Sequence, residues 1–430
     1  MIWNKTKECM SRDELTDLQS KHLVKLVKYM YQNVAYYRKK MQKLGMEPGD
    51  VCGIEDLGKL PFTTKEDLIA AYPSGIFAVS NKKITRYHSS DEIIDSDRIV
   101  GFTKNDIDHW SECVARSINM AGLGKKDIIQ ILYNYTPFTE GLGAHYGAER
   151  VGAAVVPTGI CRTTGLGALM KKLRVTGIMG TPTYLLRLAQ IIERQGLKGR
   201  LSLRAALCGS EPWTENTRRK IQDKLGVKAY DIYGLDELTG LGVACECECQ
   251  NGMHIQEDFF LAEILDTHTL VILPDGMSGE LVFTTLQKEG LPLIRYRTMH
   301  ITRIHYEKCE CGRTMARIER ICKETSDLLM IRGKSVSVSQ IEETLSGLYN
   351  VTMTYIVCIK KEQGLDVVKV FVSYDINKVL SVEEQESIIR QIQKVLSAIV
   401  GVTPEVCFAK NKGDMFNRND KKVVIIDERT

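Results

Sequence analysis

Cysteine is concentrated in two short segments of the chain, and each segment contains a Cys-x-Cys spacing. The first is Cys245-Glu-Cys247-Glu-Cys249 with His254 downstream, and the second is Cys309-Glu-Cys311-Gly-Arg313. A glycine after the second pair lets backbone N–H groups face thiolate sulfurs, and a histidine from the other segment completes a tetrahedral Cys/His set for zinc. The alternative is a scatter of reduced thiols, but five of the thirteen cysteines fall in these segments. The pattern therefore predicts a structural zinc site and leaves open which cysteine of the first segment contributes.

A second group of residues that could do chemistry lies in two turns, each after an apolar run. Asp231 to Gly240 is typical of a short strand that ends in a turn at Gly234, with two carboxylates, Asp236 and Glu237, just past the strand end. The upstream segment Cys208-Gly-Ser-Glu-Pro-Trp213 has the same form. In an open α/β sheet, ligands bind in the crevice outside the carboxyl ends of the strands, so the two turns predict a nucleotide-sized site. Each turn taken alone could equally be an ordinary connection between a strand and a helix.

The length and composition limit the kind of protein to consider. At 430 residues the chain is long enough for more than one domain and a large core. A formal charge of +4 gives no argument for binding to nucleic acid or to a membrane. The first residues, Met1 to Glu8, lack the apolar core of a signal peptide, and no run approaches transmembrane length. We therefore expect a cytoplasmic protein without a disulfide framework.

The segments that must position the two turns alternate between strand and helix patterns. Buried strands are predicted at Asp127 to Tyr133, Val151 to Pro157, Gly177 to Gly180 and Ala205 to Cys208. Between the first two strands, Glu140 to Glu149 is a helix whose small residues allow close packing. This alternation predicts an α/β fold with a largely parallel sheet.

Two later regions of the chain have a different character. Residues 241–325 alternate like a smaller β-rich unit that contains the cysteine segments. After residue 330 a helix, two strands, a helix capped by Ser381 and Glu384, and a last strand make an α+β unit of about a hundred residues. We therefore predict an N-terminal domain at 1–330 and a C-terminal domain at 331–430.

Seven motifs, taken in chain order, carry a resemblance that covers nearly the whole chain. They are Leu60-Pro-Phe-Thr-Thr-Lys-Glu-Asp-Leu68, Gly141-Leu-Gly-Ala-His-Tyr-Gly-Ala-Glu-Arg150, Gly209-Ser-Glu-Pro-Trp213, Tyr233-Gly-Leu-Asp-Glu237, Glu280-Leu-Val-Phe-Thr-Thr-Leu286, Pro292-Leu-Ile-Arg-Tyr-Arg-Thr298 and Ile331-Arg-Gly333. By these motifs the chain resembles the phenylacetate–coenzyme A (CoA) ligase family of adenylate-forming enzymes. The resemblance implies a large adenylate-forming domain and a small mobile C-terminal lid. It also implies that ATP activates a carboxylic acid to an acyl-adenylate, from which CoA takes the acyl group as a thioester.

The resemblance also implies roles for individual residues of the nucleotide site. Those expected to bind the nucleotide are Gly209, Ser210, Glu211, Asp231, Tyr233 and Gly234, with Tyr233 stacking near the base. Glu237 is expected to hold Mg²⁺ together with ATP or AMP. Lys421 stands at the position of the family's catalytic lysine, which stabilises charge on the α-phosphate and the carboxylate during the first step.

Further roles concern the acid and the metal. The expected acyl pocket contains Tyr135, Phe138, His145 and Trp213, although His145 could equally be a packed structural histidine and each aromatic side chain plain core. The Cys-to-His spacing of the family selects Cys247 from the first cysteine segment. The preferred zinc ligands are therefore Cys247, His254, Cys309 and Cys311, and Cys245 and Cys249 are the alternatives to Cys247.

Several nucleotide-handling elements of the family are altered in this chain. The Ser/Thr/Gly-rich phosphate loop is replaced by Ser89-Ser-Asp-Glu-Ile-Ile-Asp-Ser-Asp-Arg98, which puts four carboxylates where the triphosphate is expected. Met299-His300 replaces the ribose-binding aspartate, and Lys323-Glu324 and Ser326 replace a Gly-Arg pair and a hinge aspartate. Glycines allow backbone N–H groups to approach phosphates, and each like-charge contact costs on the order of a kcal/mol. These changes predict weakened or altered ATP chemistry.

Two functional hypotheses follow from these observations. The first is a working AMP-forming acid–CoA ligase for an aromatic or related carboxylic acid, with ATP and CoA as its other substrates. The second is a degenerate family member that lacks ATP-dependent activation and binds an acyl or nucleotide ligand or a partner protein. Retention of Glu211, Glu237 and Lys421 favours the first, and the altered loop favours the second. Members of the family often pair, so a homodimer is one expectation.

Overall fold

The computed structural model divides the chain into two compact units, Met1–Ile321 and Cys322–Thr430. The division therefore lies before the predicted boundary at residue 330. The structure describes residues 1–72, 76–89, 99–135, 139–160, 165–321, 323–324, 328–331, 334–337, 340–341, 344–345, 348, 354–362, 365–373, 381–408 and 423–427. Phe138, Lys421 and most of the acidic loop at 89–98 lie outside these ranges. None of the helices in the described ranges is long and apolar enough to span a membrane.

The first unit contains nine α-helices and fourteen strands in its described ranges. The helices are α1 Lys5–Glu8, α2 Arg12–Asn33, α3 Ala35–Lys43, α4 Lys65–Ala71, α5 Lys104–Met120, α6 Glu140–Arg150, α7 Leu166–Leu173, α8 Pro182–Arg194 and α9 Glu215–Leu225. The strands are β1 Arg86–Ser89, β2 Ile99–Phe102, β3 Ile128–Ile131, β4 Ala154–Pro157, β5 Gly177–Gly180, β6 Ala205–Cys208, β7 Lys228–Leu235, β8 Gly240–Glu246, β9 Met253–Ile255, β10 Phe260–Leu265, β11 Gly279–Thr285, β12 Tyr296–Thr302, β13 Ile304–His305 and β14 Arg317–Ile318. Short 3₁₀ helices are present at Pro48–Asp50, Ile54–Lys59 and Asn81–Lys83.

A nine-stranded sheet in the order β13-β14-β9-β8-β7-β6-β5-β3-β4 organises this unit. From β4 to β7 all neighbours are parallel. From β7 to β13 all neighbours are antiparallel. Alternate residues of a strand enter different hydrophobic clusters: Leu207 of β6 packs with α5, while Ala206 packs with α8 and α9. Helices therefore cover both faces of the parallel half, as such a sheet requires.

The predicted β-rich region at 241–325 is not a separate body. Its strands β8, β9, β14 and β13 continue the nine-stranded sheet beyond β7. Its other strands, β10, β11 and β12, form an antiparallel sheet of their own, with an irregularity in register between Glu280 and Val282. The cysteine segments therefore lie on the antiparallel extension of the main sheet.

Local helix signals account well for where several helices begin. The sequence Thr64-Lys-Glu-Asp67 predicts a helix capped by Thr64, and in the structure its hydroxyl oxygen accepts a hydrogen bond from the N–H of Asp67 at 3.2 Å at the start of α4. Apolar residues at three- and four-residue steps predict a single helix from His22 to Leu44, but the structure has two helices, α2 and α3, because Val34 between them has extended backbone angles. The apolar periodicity continues through this break, so it gave no sign of the interruption.

The second unit is an α+β body. Its elements are β15 Lys323–Glu324, β16 Leu328–Ile331, β17 Lys334–Ser337, β18 Thr354–Glu362, β19 Leu365–Ser373, α10 Val382–Val400, β20 Glu405–Phe408 and β21 Val423–Asp427. The order of its four-stranded sheet is β20-β19-β18-β21. Ile392 and Leu396 of α10 pack into a core with Val357 and Val370 of the sheet. The predicted capping box is confirmed, since Ser381 and Glu384 exchange backbone and side-chain hydrogen bonds at 3.2 and 2.8 Å.

Close packing of α6 against α5 gives a first prediction. A Cβ added to Gly143 would lie 2.1 Å from the ring of Trp110, which is fully buried. Gly143→Ala should lower the free energy of unfolding by about 1–3 kcal/mol, because the overlap outweighs the better helix propensity of alanine. Thermal melting followed by tryptophan fluorescence measures the change. The matched control is Gly49→Ala, where a Cβ meets nothing within 4 Å. Equal melting temperatures for the two variants would contradict this account of the α5–α6 contact.

Candidate functional site

The turns predicted to bind a nucleotide meet at the carboxyl ends of β6 and β7. These strands pair in parallel with Cys208 opposite Asp231, so their following turns leave the sheet side by side. Both turns need glycine for close approach. A Cβ on Gly209 would lie 2.2 Å from the carbonyl oxygen of Ile232, and one on Gly234 would lie 1.8 Å from that of Gly240. Ser210 has a φ of 69°, a rare value for a residue other than glycine and one that concentrates at functional sites.

Carboxylates gather between these turns and the first turn of α6. The hydroxyl of Thr139, the residue before α6, donates a hydrogen bond to Asp236. Burial, followed by the nearby carboxylate of Glu140, raises the pKa of Asp236 to about 7. Burial also raises the pKa of Glu140, while a hydrogen bond from Ser210 lowers it. Glu237 is buried beside them. The arrangement is a carboxylate-rich site in which one proton can be held near neutral pH, next to a backbone turn.

Tyr233 lies between two aromatic neighbours at the same strand end. Its hydroxyl and Nδ1 of His300 are hydrogen-bonded at 2.8 Å, with the rings edge to face at 5.5 Å. Its ring also stacks near Phe283 at 6.3 Å. We expected His300 to be a surface residue, but the structure makes it a half-buried partner of Tyr233. The preceding residue, Met299, has a φ of 64°, which is rare for a residue other than glycine. Met299 and His300 stand where the resemblance implies a ribose-binding aspartate.

Asp231 lies inside a network of buried charges. Nε of Arg320 donates to its carboxylate at 3.1 Å, and its own N–H donates to Glu246 at 2.8 Å. Burial raises the pKa of Asp231 to about 6, with Glu246 as the next cause. Arg218 makes two hydrogen bonds of 2.7 Å to Glu246. These contacts fix Asp231 within β7, and they therefore support the strand that ends in the turn with Asp236 and Glu237.

Of the four residues expected in the acyl pocket, the structure describes Tyr135, His145 and Trp213. Tyr135 and His145 come together, with the hydroxyl 3.1 Å from Nδ1, and Nε2 of His145 lies 3.1 Å from Glu149. Trp213 contacts the guanidinium groups of Arg218 and Arg320 at 4.9 and 4.7 Å. Phe138 lies outside the described residues. The polar chain from Tyr135 to Glu149 could orient a hydroxyl or carboxyl group of a ligand.

The metal candidates form a compact group on the antiparallel half of the sheet. The ligand atoms of Cys247, His254, Cys309 and Cys311 all lie within 4.8 Å of one another. The sulfurs of Cys247 and Cys309 are 3.7 Å apart, and the sulfur of Cys311 is 3.5 Å from Nε2 of His254. The alternative Cys245 is directed elsewhere, with its sulfur 3.8 Å from the carbonyl oxygen of Ser117 in α5. The other alternative, Cys249, lies outside the group of four.

The turn that carries Cys309 and Cys311 is tied to the first residues of the chain. Arg313, fully buried, donates to the buried carboxylate of Glu8 at 2.6 Å. The same guanidinium donates to the sulfur of Cys311 at 3.5 Å and to the carbonyl oxygen of Met1 at 2.7 Å. Nδ1 of His254 lies 3.2 Å from the carbonyl oxygen of Met315, a contact that orients Nε2 toward the thiols. The site thus has an outer layer that fixes its ligands.

The roles of several residues around the site could not be recognised from the sequence. Lys288 is buried, and its ammonium contacts the backbone of the Glu237 turn. Burial lowers its pKa to about 8. Arg320 contacts both Asp231 and Trp213 across a long sequence separation. The one usable signal was at Thr139 and Glu140, a helix start directly before the glycine-rich motif.

Comparison with known proteins identifies the relatives of this chain. Residues 151–287 match the family of AMP-binding enzymes, and residues 333–429 match the C-terminal domain of AMP-binding enzymes. The phenylacetate-coenzyme A ligase of Escherichia coli K12 is 40% identical over 98% of this chain and 97% of its own length. That of Pseudomonas putida is 41% identical over 93% of this chain and 91% of its own length. The chain belongs to the phenylacetate–CoA ligase family.

Membership of this family confirms the resemblance inferred from the motifs. The adenylate-forming fold is confirmed independently by a crystal structure of 2-hydroxyisobutyryl-CoA ligase in complex with an acyl-AMP, in the postadenylation state. That structure superposes with a TM-score of 0.86 at 22% identity and covers all of this chain and 92% of its own. The chain is therefore a member of the phenylacetate–CoA ligase family by sequence, and it has the fold of the adenylate-forming enzymes. The roles given to individual residues stay predictions.

The buried pair of Arg218 and Glu246 gives a second prediction. Both side chains are at most 6% exposed, so Arg218→Met leaves the Glu246 carboxylate unpaired beside Asp231. The free energy of unfolding should fall by about 3–5 kcal/mol at pH 8. The loss should be smaller at pH 5, because unpaired buried carboxyls have raised pKa values and their cost appears only as pH rises through those values.

Urea denaturation at the two pH values measures this effect. Lys224→Met is the matched control, since Lys224 pairs with Glu193 at 2.8 Å on the surface. Such a pair contributes about 1 kcal/mol or less. A loss at Arg218 no larger than that of the control, or one independent of pH, would show that the network does not depend on this ion pair.

Proposed function

We propose that the protein is an AMP-forming acid–CoA ligase that acts on an aromatic or related carboxylic acid. The observation that carries the proposal is the meeting of the Gly209–Glu211 turn, Tyr233 and Glu237 at the ends of β6 and β7. Identity of about 40% with phenylacetate-coenzyme A ligases over nearly the whole chain supports it. The degenerate alternative is not favoured, because these relatives match the chain from end to end.

The residues of the site fit the two steps of this reaction. In the first step a carboxylate oxygen bonds to the α-phosphorus of ATP, and the bond from that phosphorus to the β-phosphate breaks, releasing pyrophosphate. In the second step the sulfur of CoA loses its proton and bonds to the acyl carbon, and AMP leaves. Tyr233 would stack near the base, and the backbone at Ser210 would contact the nucleotide. Lys421 would stabilise charge that develops on the α-phosphate.

Two metal and ligand assignments complete the proposed site. Glu237 would hold Mg²⁺, which neutralises phosphate charge when it is bound with ATP. The carboxylate of Glu237 suits this hard cation, which prefers oxygen ligands. Tyr135 and His145 would line the acyl pocket. A homodimer and a cytoplasmic location stay predictions.

The altered phosphate loop bears on how ATP binds. Four carboxylates of the segment 89–98 would oppose the β- and γ-phosphates, and His300 would replace a carboxylate near the ribose. We infer that ATP is still the activating substrate and binds more weakly than AMP or an acyl-adenylate. Screening of exposed charges over about 10 Å at ordinary ionic strength should reduce that difference as salt rises.

Pyrophosphate exchange tests the proposed function and the role of Lys421 together. The wild-type protein with phenylacetate and Mg²⁺–ATP should exchange labelled pyrophosphate into ATP, and it should release AMP and a thioester once CoA is added. Lys421→Ala should slow the exchange on the order of 10²–10³-fold, because the lysine meets charge that is present in the transition state. Lys422→Ala, a change at the adjacent lysine, is the control and should exchange normally.

Two outcomes would count against these proposals. Absence of exchange by the wild-type protein across a panel of aryl and arylacetic acids would refute the ligase. Normal exchange by Lys421→Ala would refute only the assignment of the lysine.

We also propose that Cys247, His254, Cys309 and Cys311 hold a structural Zn²⁺. A tetrahedral zinc with Zn–S near 2.3 Å and Zn–N near 2.0 Å separates two sulfurs by about 3.8 Å and a sulfur from a nitrogen by about 3.5 Å. The corresponding distances here are 3.7 and 3.5 Å. Three thiols and one imidazole make a closed set that leaves no position for a substrate, so the proposed role is structural.

Elemental analysis of protein purified without added metal tests the zinc proposal. About one zinc per chain is expected. Cys309→Ser should lose the metal and melt at a lower temperature, because binding energy at a structural site contributes directly to folding. Cys52→Ser, at an exposed cysteine outside the cluster, should keep both. Less than about a third of an equivalent in well-folded wild-type protein would refute the site.

A further inference from the structure

Lys288 is a buried lysine in the loop that follows β11. Its side chain is 6% exposed, and Nζ donates hydrogen bonds to the carbonyl oxygens of Glu237 at 2.7 Å and Leu238 at 2.6 Å. The ammonium also lies 4.8 Å from the ring centre of Phe102. Within the described part of the chain, no carboxylate oxygen lies within 4.0 Å of it. The charge is therefore held by backbone carbonyls and an aromatic face rather than by an ion pair.

The two carbonyls belong to a single helical turn that presents the carboxylates of the site. The N–H groups of Leu238 and Thr239 both donate to the carbonyl oxygen of Leu235, at 3.0 and 3.1 Å. The last carbonyl groups of such a turn have no partner within it. A cation at this end satisfies them and interacts favourably with the dipole of the turn. Lys288 therefore caps the turn that carries Asp236 and Glu237.

The surroundings of Lys288 argue that this contact is more than general packing. Burying an ammonium without an ion pair is costly, and a neutral side chain of similar length would fill the space at lower cost. The charged or titratable groups facing it come from α5 and from the turn itself: Asp106, His109, Asp236 and Glu237. Asp106 is already committed, since it accepts hydrogen bonds from the N–H groups of Thr103, Glu289 and Gly290.

We propose that Lys288 is a positioning residue for the adenylation step, which fixes the Glu237 carboxylate by holding the carbonyls of the turn from behind. The inference rests on the proposed ligase function and deepens it. Lys288 touches neither substrate nor reacting atoms in this role. Its effect reaches the nucleotide through Glu237, whose backbone it holds.

The main test compares Lys288→Met and Lys288→Arg with the wild type in pyrophosphate exchange. Loosening the turn should lower kcat for exchange by about 10–100-fold, the range found when the support of a metal-binding side chain is removed. The Mg²⁺ concentration for half-maximal rate should rise, while KM for the acid should change little. Lys288→Arg keeps the charge and the donors, so it should recover most of the rate.

A matched control separates this role from general stability. Lys40 also donates to a backbone carbonyl, that of Phe62 at 2.8 Å, and lies 4.8 Å from the ring of Tyr36. Lys40→Met removes these two kinds of contact, together with an ion pair to Asp67 at 2.8 Å, from a lysine outside the proposed site. It should lower the melting temperature without changing kcat or the Mg²⁺ dependence.

Chemical rescue keeps the inference testable if the methionine variant folds poorly. A small cleft lies beside Lys288, lined in part by His109, Phe259 and Phe260. In Lys288→Ala, n-propylammonium should restore exchange in a saturable way, because the added amine can reach the two carbonyls. It should not restore exchange in Glu237→Gln, which lacks the carboxylate that is being positioned.

The outcomes are distinct. Unchanged kcat and Mg²⁺ dependence in folded Lys288→Met would overturn the inference and leave the ligase intact. Poor folding of all three variants, without rescue by the amine, would assign Lys288 to stability alone and also overturn it. If the wild-type protein shows no exchange, the proposed function fails. In that case calorimetry measures the affinity of the wild type and of Lys288→Met for Mg²⁺–ATP. Weaker binding by the variant would support the positioning role of Lys288, and equal affinity would overturn it.

Discussion

Parallel pairing of β7 with β6 and antiparallel pairing of β7 with β8 force the chain into a tight return at residues 236–239. The parallel side places the Gly209 turn next to the end of β7. The antiparallel side pairs Leu235 with Gly240, so Asp236 and Glu237 must lie in the four residues between them. Two carbonyl oxygens of that short turn accept hydrogen bonds from Lys288. The position of the site is therefore set by β7, the strand that has a parallel neighbour on one side and an antiparallel neighbour on the other.

The same strand pair connects the nucleotide site to the metal cluster. Glu246 at the end of β8 accepts from the N–H of Asp231 and from Arg218, and the next residue is Cys247. Buried charge is compensated along this path, by Arg218 at Glu246 and by Arg313 at the cysteine turn. The cysteine–histidine group and the proposed nucleotide site therefore share one sheet.

What could be predicted from the sequence was largely what depends on neighbouring residues. The caps at Thr64 and Ser381 involve partners three residues away, and the turns at Gly209 and Gly234 follow apolar runs directly. The four metal candidates could be named because cysteine is rare and its spacing is informative. Lys288 could not be named, since a lone lysine in a loop is usually a solvated one, and its partners lie 50 and 51 residues away. The contact between Trp213 and Arg320 could not be predicted either, since the tertiary fold joins residues more than a hundred positions apart.

The buried pair of Glu8 and Arg313 joins residues 305 positions apart in the chain. During synthesis the ribosome releases Glu8 long before Arg313 exists, so this carboxylate stays hydrated until nearly all of the first unit has emerged. The cysteine turn that Arg313 supports is completed in the same late stretch, together with the last strand of the nine-stranded sheet. Contacts of such long sequence separation form slowly, because the entropy of loop closure opposes them. The Glu8–Arg313 pair and the cysteine turn can therefore form only after nearly all of the first unit has left the ribosome, so the last step of its maturation falls near the end of its translation.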